Sequence, residues 1–129
     1  MADLLELQRI TQRDVGTREL KDLAAALALI LETLEPDERV LGAATGDSVR
    51  GNRCLAVATS RKLAVADETH LDQVAYPRMT EVEYSEGWRK GNLVVRAQGT
   101  VADIRGVHLD RARRLRALIQ TARTNTVLR

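Results

Sequence analysis

The chain has 129 residues, 44% of them hydrophobic and 29% charged, with a formal charge of +2 at pH 7. That is the size of one domain, and the balance predicts a soluble globular protein rather than a disordered or membrane-spanning chain. A single cysteine, Cys54, excludes an internal disulfide framework and leaves too little thiolate for a structural zinc site. The opening Met1-Ala2-Asp3-Leu4-Leu5-Glu6 is acidic where a secretory leader is basic. The longest apolar run, Leu23 to Leu31, falls well short of the roughly 18–20 residues a membrane span needs. A cytoplasmic protein is expected, and membrane association is not.

Taken in chain order, Asp3 and Glu6 form a capping-box pattern that predicts a short helix to about Gln12. Gly16 interrupts it, and a stronger helix begins near Thr17. Leu20, Leu23, Leu27, Ile30, Leu31 and Leu34 recur there at three- and four-residue steps, which makes one stripe. The opposite side is also apolar through Ala25, Ala26, Ala28 and Leu29, and a helix apolar nearly all round is covered on more than one side. Pro36 ends it. Leu20, Leu23, Leu27, Leu29, Ile30 and Leu34 are therefore candidate partner or self-association residues, and a homo-oligomer is expected.

From Glu38 the pattern changes to period 2. Strands are predicted at Arg39–Thr45, Arg53–Ala58, Lys62–Ala66, Leu71–Tyr76, Glu81–Tyr84, Gly91–Ala97 and Val101–Arg105. Gly46-Asp47, Gly51-Asn52, Tyr76-Pro77, Glu86-Gly87 and Gln98-Gly99 supply turns between them. Short strands at this spacing indicate an antiparallel barrel or sandwich. A last helix runs from Leu109 to about Ala122. The fold class is α+β, with residues 1–36 a helical segment, 37–123 the strand-rich domain and 124–129 a tail.

Charge is distributed unevenly. Residues 1–35 carry −3, residues 36–107 are neutral, and residues 108–129 carry +5. Arg111, Arg113 and Arg114 crowd the first turns of the last helix, where the helix dipole favours anions. Either they pair with the acidic N-terminal segment, for example through Asp22, Glu32 or Glu35, or they meet an external acidic partner. Arg50 and Arg53 flank Gly51-Asn52, and Arg61 and Lys62 follow in the next turn; all four are candidate anion-binding residues. Trp88, between Gly87 and Gly91, is a contact aromatic if it is exposed.

No motif points to a reaction. Gly42-Ala43-Ala44-Thr45-Gly46 lacks the Lys-Ser/Thr of a phosphate-binding loop, and no serine sits in a nucleophile elbow. His70 and His108 lack metal-ligand spacing, and Cys54 at a strand start reads as a small buried hydrophobe. No catalysis, metal or cofactor is expected.

The strand segments carry a resemblance. Glu38-Arg39-Val40-Leu41-Gly42-Ala43 looks like a first strand, and Leu55-Ala56-Val57-Ala58-Thr59-Ser60-Arg61-Lys62-Leu63-Ala64-Val65 like a strand ending in Thr, a basic turn and an apolar strand. Val74-Ala75-Tyr76-Pro77, Val82-Glu83-Tyr84, Gly91-Asn92-Leu93-Val94-Val95 and Ile104-Arg105-Gly106-Val107 continue the series before the last helix. Together, residues 37–122 resemble bacterial pleckstrin-homology-like (PH-like) domains of the YokE type. Val and Leu here stand where that family often has Phe. The resemblance implies a partly open antiparallel barrel of about seven strands capped by the C-terminal helix. It also implies a non-catalytic binding module, engaged in interaction with an unknown protein or in self-assembly. Two alternatives follow from the basic residues. One is a bacterial or phage nucleic-acid-associated regulator using the Arg-rich helix. The other, implied by the resemblance because basic residues in the first hairpin of eukaryotic pleckstrin-homology relatives bind phosphoinositides, is an anionic lipid binder using Arg50 to Lys62.

Overall fold

The computed structural model describes residues 4–127. Helix α1 spans Leu4–Val15 and buries Leu7, Ile10, Thr11 and Val15 at helical spacing. The Asp3–Glu6 capping pattern lies outside the described residues. Gly16, at φ 97°, ends α1 in a conformation that side chains disfavour. The single long helix expected from Thr17 is two: α2, Thr17–Asp22, and α3, Ala24–Leu31. Leu23 separates them at φ −114°, ψ 23°, and its N–H donates to the Leu20 carbonyl at 3.1 Å. The bend lets both Leu20 and Leu23 bury. Helix α3 also stops before Pro36, because i→i+3 bonds at Thr33 and Leu34 tighten the chain into turns.

Seven strands follow: β1 Val40–Asp47, β2 Arg53–Thr59, β3 Lys62–Ala66, β4 Leu71–Ala75, β5 Met79–Glu86, β6 Lys90–Ala97 and β7 Thr100–His108. All pairings are antiparallel, in the order β4-β3-β2-β1-β7-β6-β5. The consecutive strands β4 and β5 thus form the two edges, linked by a 3₁₀ turn at Tyr76–Arg78 that Pro77 favours. The sheet does not close. With α4, Leu109–Val127, packed on β1 and β6, this is a partly open α+β barrel consistent with a PH-like arrangement.

Most strand ends shift by one to three residues from the sequence reading, and three of the differences have a clear physical reason. The Gly46-Asp47 pair continues β1 instead of turning, because β1 there bridges both neighbours, Asp47 facing Arg53 and Arg105. A Cβ at Gly46 would stand 2.5 Å from the Arg105 carbonyl oxygen, so the crossing of β1 and β7 needs glycine. Strand β7 runs on to His108 by absorbing Gly106 (φ 65°) as a bulge: Gly91 faces Val107 while Leu93 faces Ile104. Helix α4 passes Ala122 and takes up residues 124–127, since no Gly or Pro stops it.

Two cores share the sheet. The inner one joins Ala56, Leu63, Val65, Val95 and Ile104 to Leu115 and Ile119 of α4. The outer one joins Leu55, Val57, Ala64 and Ala66 to Leu7, Leu27 and Ile30 of the N-terminal helices. Successive residues of β2 point alternately into the two, so Cys54–Thr59 are all buried. Helices α1, α2 and α3 therefore pack as a layer on the barrel wall.

Candidate functional site

The stripe singled out for association faces inward. Leu20, Leu23, Leu27 and Ile30 are buried against the chain's own sheet, while Leu29 and Leu34 are half-buried against the same core. One sheet face suffices because the opposite side of α3 is alanine, with Ala24, Ala25 and Ala28 exposed. This covers the residues that a second copy was expected to meet.

Most candidate cations are paired within the chain. Arg50 binds the buried Asp67 through Nε at 3.2 Å and Nη2 at 3.0 Å. Burial pushes the Asp67 carboxyl up, but N–H donors from Thr69 and His70 together with Arg50 hold it well below the usual carboxylate range. Arg61 pairs with Asp37, and Lys62 donates to the Thr33 carbonyl at 2.8 Å beside Glu38 at 3.7 Å. Arg50 and Arg53 sit at one end of β2 and Arg61 and Lys62 at the other, about 20 Å apart for a strand of this length. The four do not converge.

Helix α4 resolves its crowded arginines similarly. Arg113 binds Glu86 at 2.7 Å and, with Tyr84, brings that carboxyl down to about 2. Arg114 lies 3.7 Å from Asp14. Burial raises the Asp14 carboxyl, yet Arg13, the Ala43 N–H and the Arg114 charge together hold it below its ordinary range. Arg111 reaches Glu19 at 3.3 Å. The acidic N-terminal segment does supply partners, but through Asp14 and Glu19 rather than Asp22, Glu32 or Glu35. The bend at Leu23, which sets the direction of α2, has no sequence signal that could have assigned Glu19.

Three candidates do converge. Arg53, Trp88 and Arg111 line an open groove of about 910 Å³ at the end of the barrel. Arg89 and Lys90 complete its cationic side, His108 also lines it, and Glu19 and Asp110 are its carboxylates. Glu19 is the hub of the floor: it accepts from Thr45 Oγ1 at 2.9 Å and Arg111 Nη1 at 3.3 Å, and lies 3.6 Å from Arg53. Arg53 also meets Asp47 at 3.3 Å. The rim differs. Trp88 is 84% exposed, with the Arg89 guanidinium 4.1 Å from its ring centroid. Among the described residues neither Arg89 nor Lys90 has a carboxylate within ion-pair distance.

The rim is firmly held. The Gly87 N–H donates to the Lys90 carbonyl at 2.8 Å, closing the β5–β6 turn, and the Leu109 N–H donates to the Arg89 carbonyl at 3.1 Å, tying the turn to α4. Asn92 Oδ1 accepts from the Gly106 N–H at 2.9 Å, fixing the bulge that borders the groove. Sequence reading missed Arg89, Lys90 and Glu19; the run Trp88-Arg89-Lys90 on a turn was the signal available for two of them.

Elsewhere the chemistry is quiet. Cys54 is fully buried, which pushes its thiol up to about 12. His70 sits beside Thr69 and Asp67, and His108 lines the groove, so the two histidines belong to different neighbourhoods. Among the described residues no group of three or more His, Cys, Asp or Glu side chains could hold a metal, and no helix is long and apolar enough to cross a membrane. A more apolar groove of about 440 Å³ beside α4, between Leu41, Ser60 and Leu118, contains Arg114, whose charge Asp14 already meets. Comparison with protein-family models, curated proteins and solved structures finds no match to the chain.

Proposed function

We propose that this chain is a non-catalytic protein-binding module whose contact surface is the end of the barrel around Trp88. The observation that carries the reading is the exposure of Trp88. In a chain with three aromatic residues, the largest stands out of the fold, on a turn held by hydrogen bonds at both ends. Exposed tryptophan and arginine side chains dominate the energetics of protein contacts, and a held turn loses little freedom on binding. The barrel suits a binding scaffold, although a fold of this kind does not assign a partner.

The nucleic-acid alternative draws less support. Arg111, Arg113 and Arg114 of α4 each face a carboxylate of the same chain, and Arg116 lies over the Tyr84 ring at 4.7 Å. The test is a nuclease-treated pull-down from source-cell lysate with the wild type and Trp88→Ala. A stoichiometric protein held by the first and lost by the second is the expected result. Bait alone in both, or companions that vanish with nuclease, overturns the reading.

A further inference from the structure

We infer that the groove takes an extended acidic segment of a partner protein, an apolar side chain lying on Trp88 and carboxylates pairing with Arg89 and Lys90. The inference rests on the binding-module reading and adds the chemistry of the partner. Charge decides it. Arg53 and Arg111 are already matched by Glu19 and Asp47, which leaves the rim cations Arg89 and Lys90 as the charges an incoming carboxylate would complete. The free face of the Trp88 ring, opposite the guanidinium of Arg89, is an apolar seat next to them.

The same arrangement argues against other occupants. A polyphosphate strand needs a continuous basic track. Here Glu19 sits on the floor between two arginines, and Asp110 stands on the α4 side. A small apolar molecule needs an enclosed and mainly hydrophobic pocket. This groove is open, and six of its eleven lining residues are charged. A protein segment can offer carboxylates to the rim and hydrogen-bond donors to Glu19 at once.

Trp88 is the only tryptophan in the chain, so its own emission reports on the site. The probe is a ten-residue peptide rich in glutamate with one central leucine, titrated against the intact protein at low and high salt. The controls are the same peptide with glutamine for glutamate, and a ten-nucleotide oligothymidylate. Saturable change of Trp88 emission with the acidic peptide, weakened by salt and absent with the glutamine peptide, is expected. Replacing Arg89 and Lys90 together by alanine should weaken it at least about tenfold, on the scale of two charge-assisted contacts. Glu19→Gln should instead tighten the acidic peptide by about three- to fivefold, the span of an exposed ion pair. A gain of this kind cannot arise from unfolding. Saturation by the oligothymidylate alone overturns the inference in favour of nucleic acid. Silence to every probe overturns the acidic chemistry, while a Trp88-dependent protein in the pull-down would leave the binding-module reading standing.

Discussion

The two halves of the barrel are built from similar strands and treated differently. Strands β1–β3 are covered on both faces, by α4 inside and by the N-terminal helices outside, and β2 buries six consecutive residues. Strands β5–β7 are covered on one face only, so the buried Ala102, Ile104 and Val107 of β7 are interleaved with exposed or half-buried residues, and in β5 the half-buried Val82 and Tyr84 alternate with exposed ones. Residues in the first half are committed to packing. The second half keeps a bare face and a projecting turn, and Trp88 stands there. The lesson is that a chain with little aromatic content leaves its largest ring where the fold does not need it.

That contrast can be broken most directly by truncating one residue in each half. Leu55→Ala should cost about 2–5 kcal/mol, because it opens a cavity between sheet and helices. Val101→Ala, at an exposed position of β7, should stay within about 0.5 kcal/mol. Denaturant unfolding of both variants measures the difference, and equal losses would abolish the distinction between the halves. Gly46→Ala comes next, at about 1–3 kcal/mol, since the new methyl meets the Arg105 carbonyl where the halves cross.

Acid acts on both halves, but Glu86 of β5, also held low by Arg113 and Tyr84, is exposed to solvent, so screening leaves the larger share to the first half. Asp14 and Asp67, both on the doubly covered half, have carboxyls held below their unfolded values. Their contribution is fully present above the unfolded value near about pH 4 and is lost as pH falls toward the folded one. Stability should therefore be level at neutral pH and decline below about pH 4. Asp14→Asn and Asp67→Asn should each flatten that decline, and thermal melts from pH 7 to pH 2 provide the check. Trp88→Ala is the smallest effect, within about 0.5 kcal/mol of wild-type stability, while abolishing partner retention. A large loss of stability would mean that the ring packs after all.

The strands were readable because alternation and turn residues coincide: β3 spans Lys62–Ala66 as expected, and the other six differ by a few residues at their ends. The two-faced burial of β2 was not readable. Leu55 and Val57 alternate with Ala56 and Ala58, so a sequence shows one apolar face and hides the second behind small residues. Basic candidates were visible one by one, but their pairing was not. Arg111 and Glu19 are 92 residues apart, and their meeting depends on a helix bend that no residue type announces. Trp88 was recognisable as a turn residue; its exposure required the fold.

The Asp14–Arg114 contact has a consequence in time. A ribosome adds residues at about 5–20 per second, so Arg114 is made roughly 5–20 s after Asp14. Through that interval Asp14 can already receive the Arg13 side chain and, once β1 exists, the Ala43 N–H. Helices and early strands can settle on one another first, and α4 arrives last to a carboxylate that is already in place.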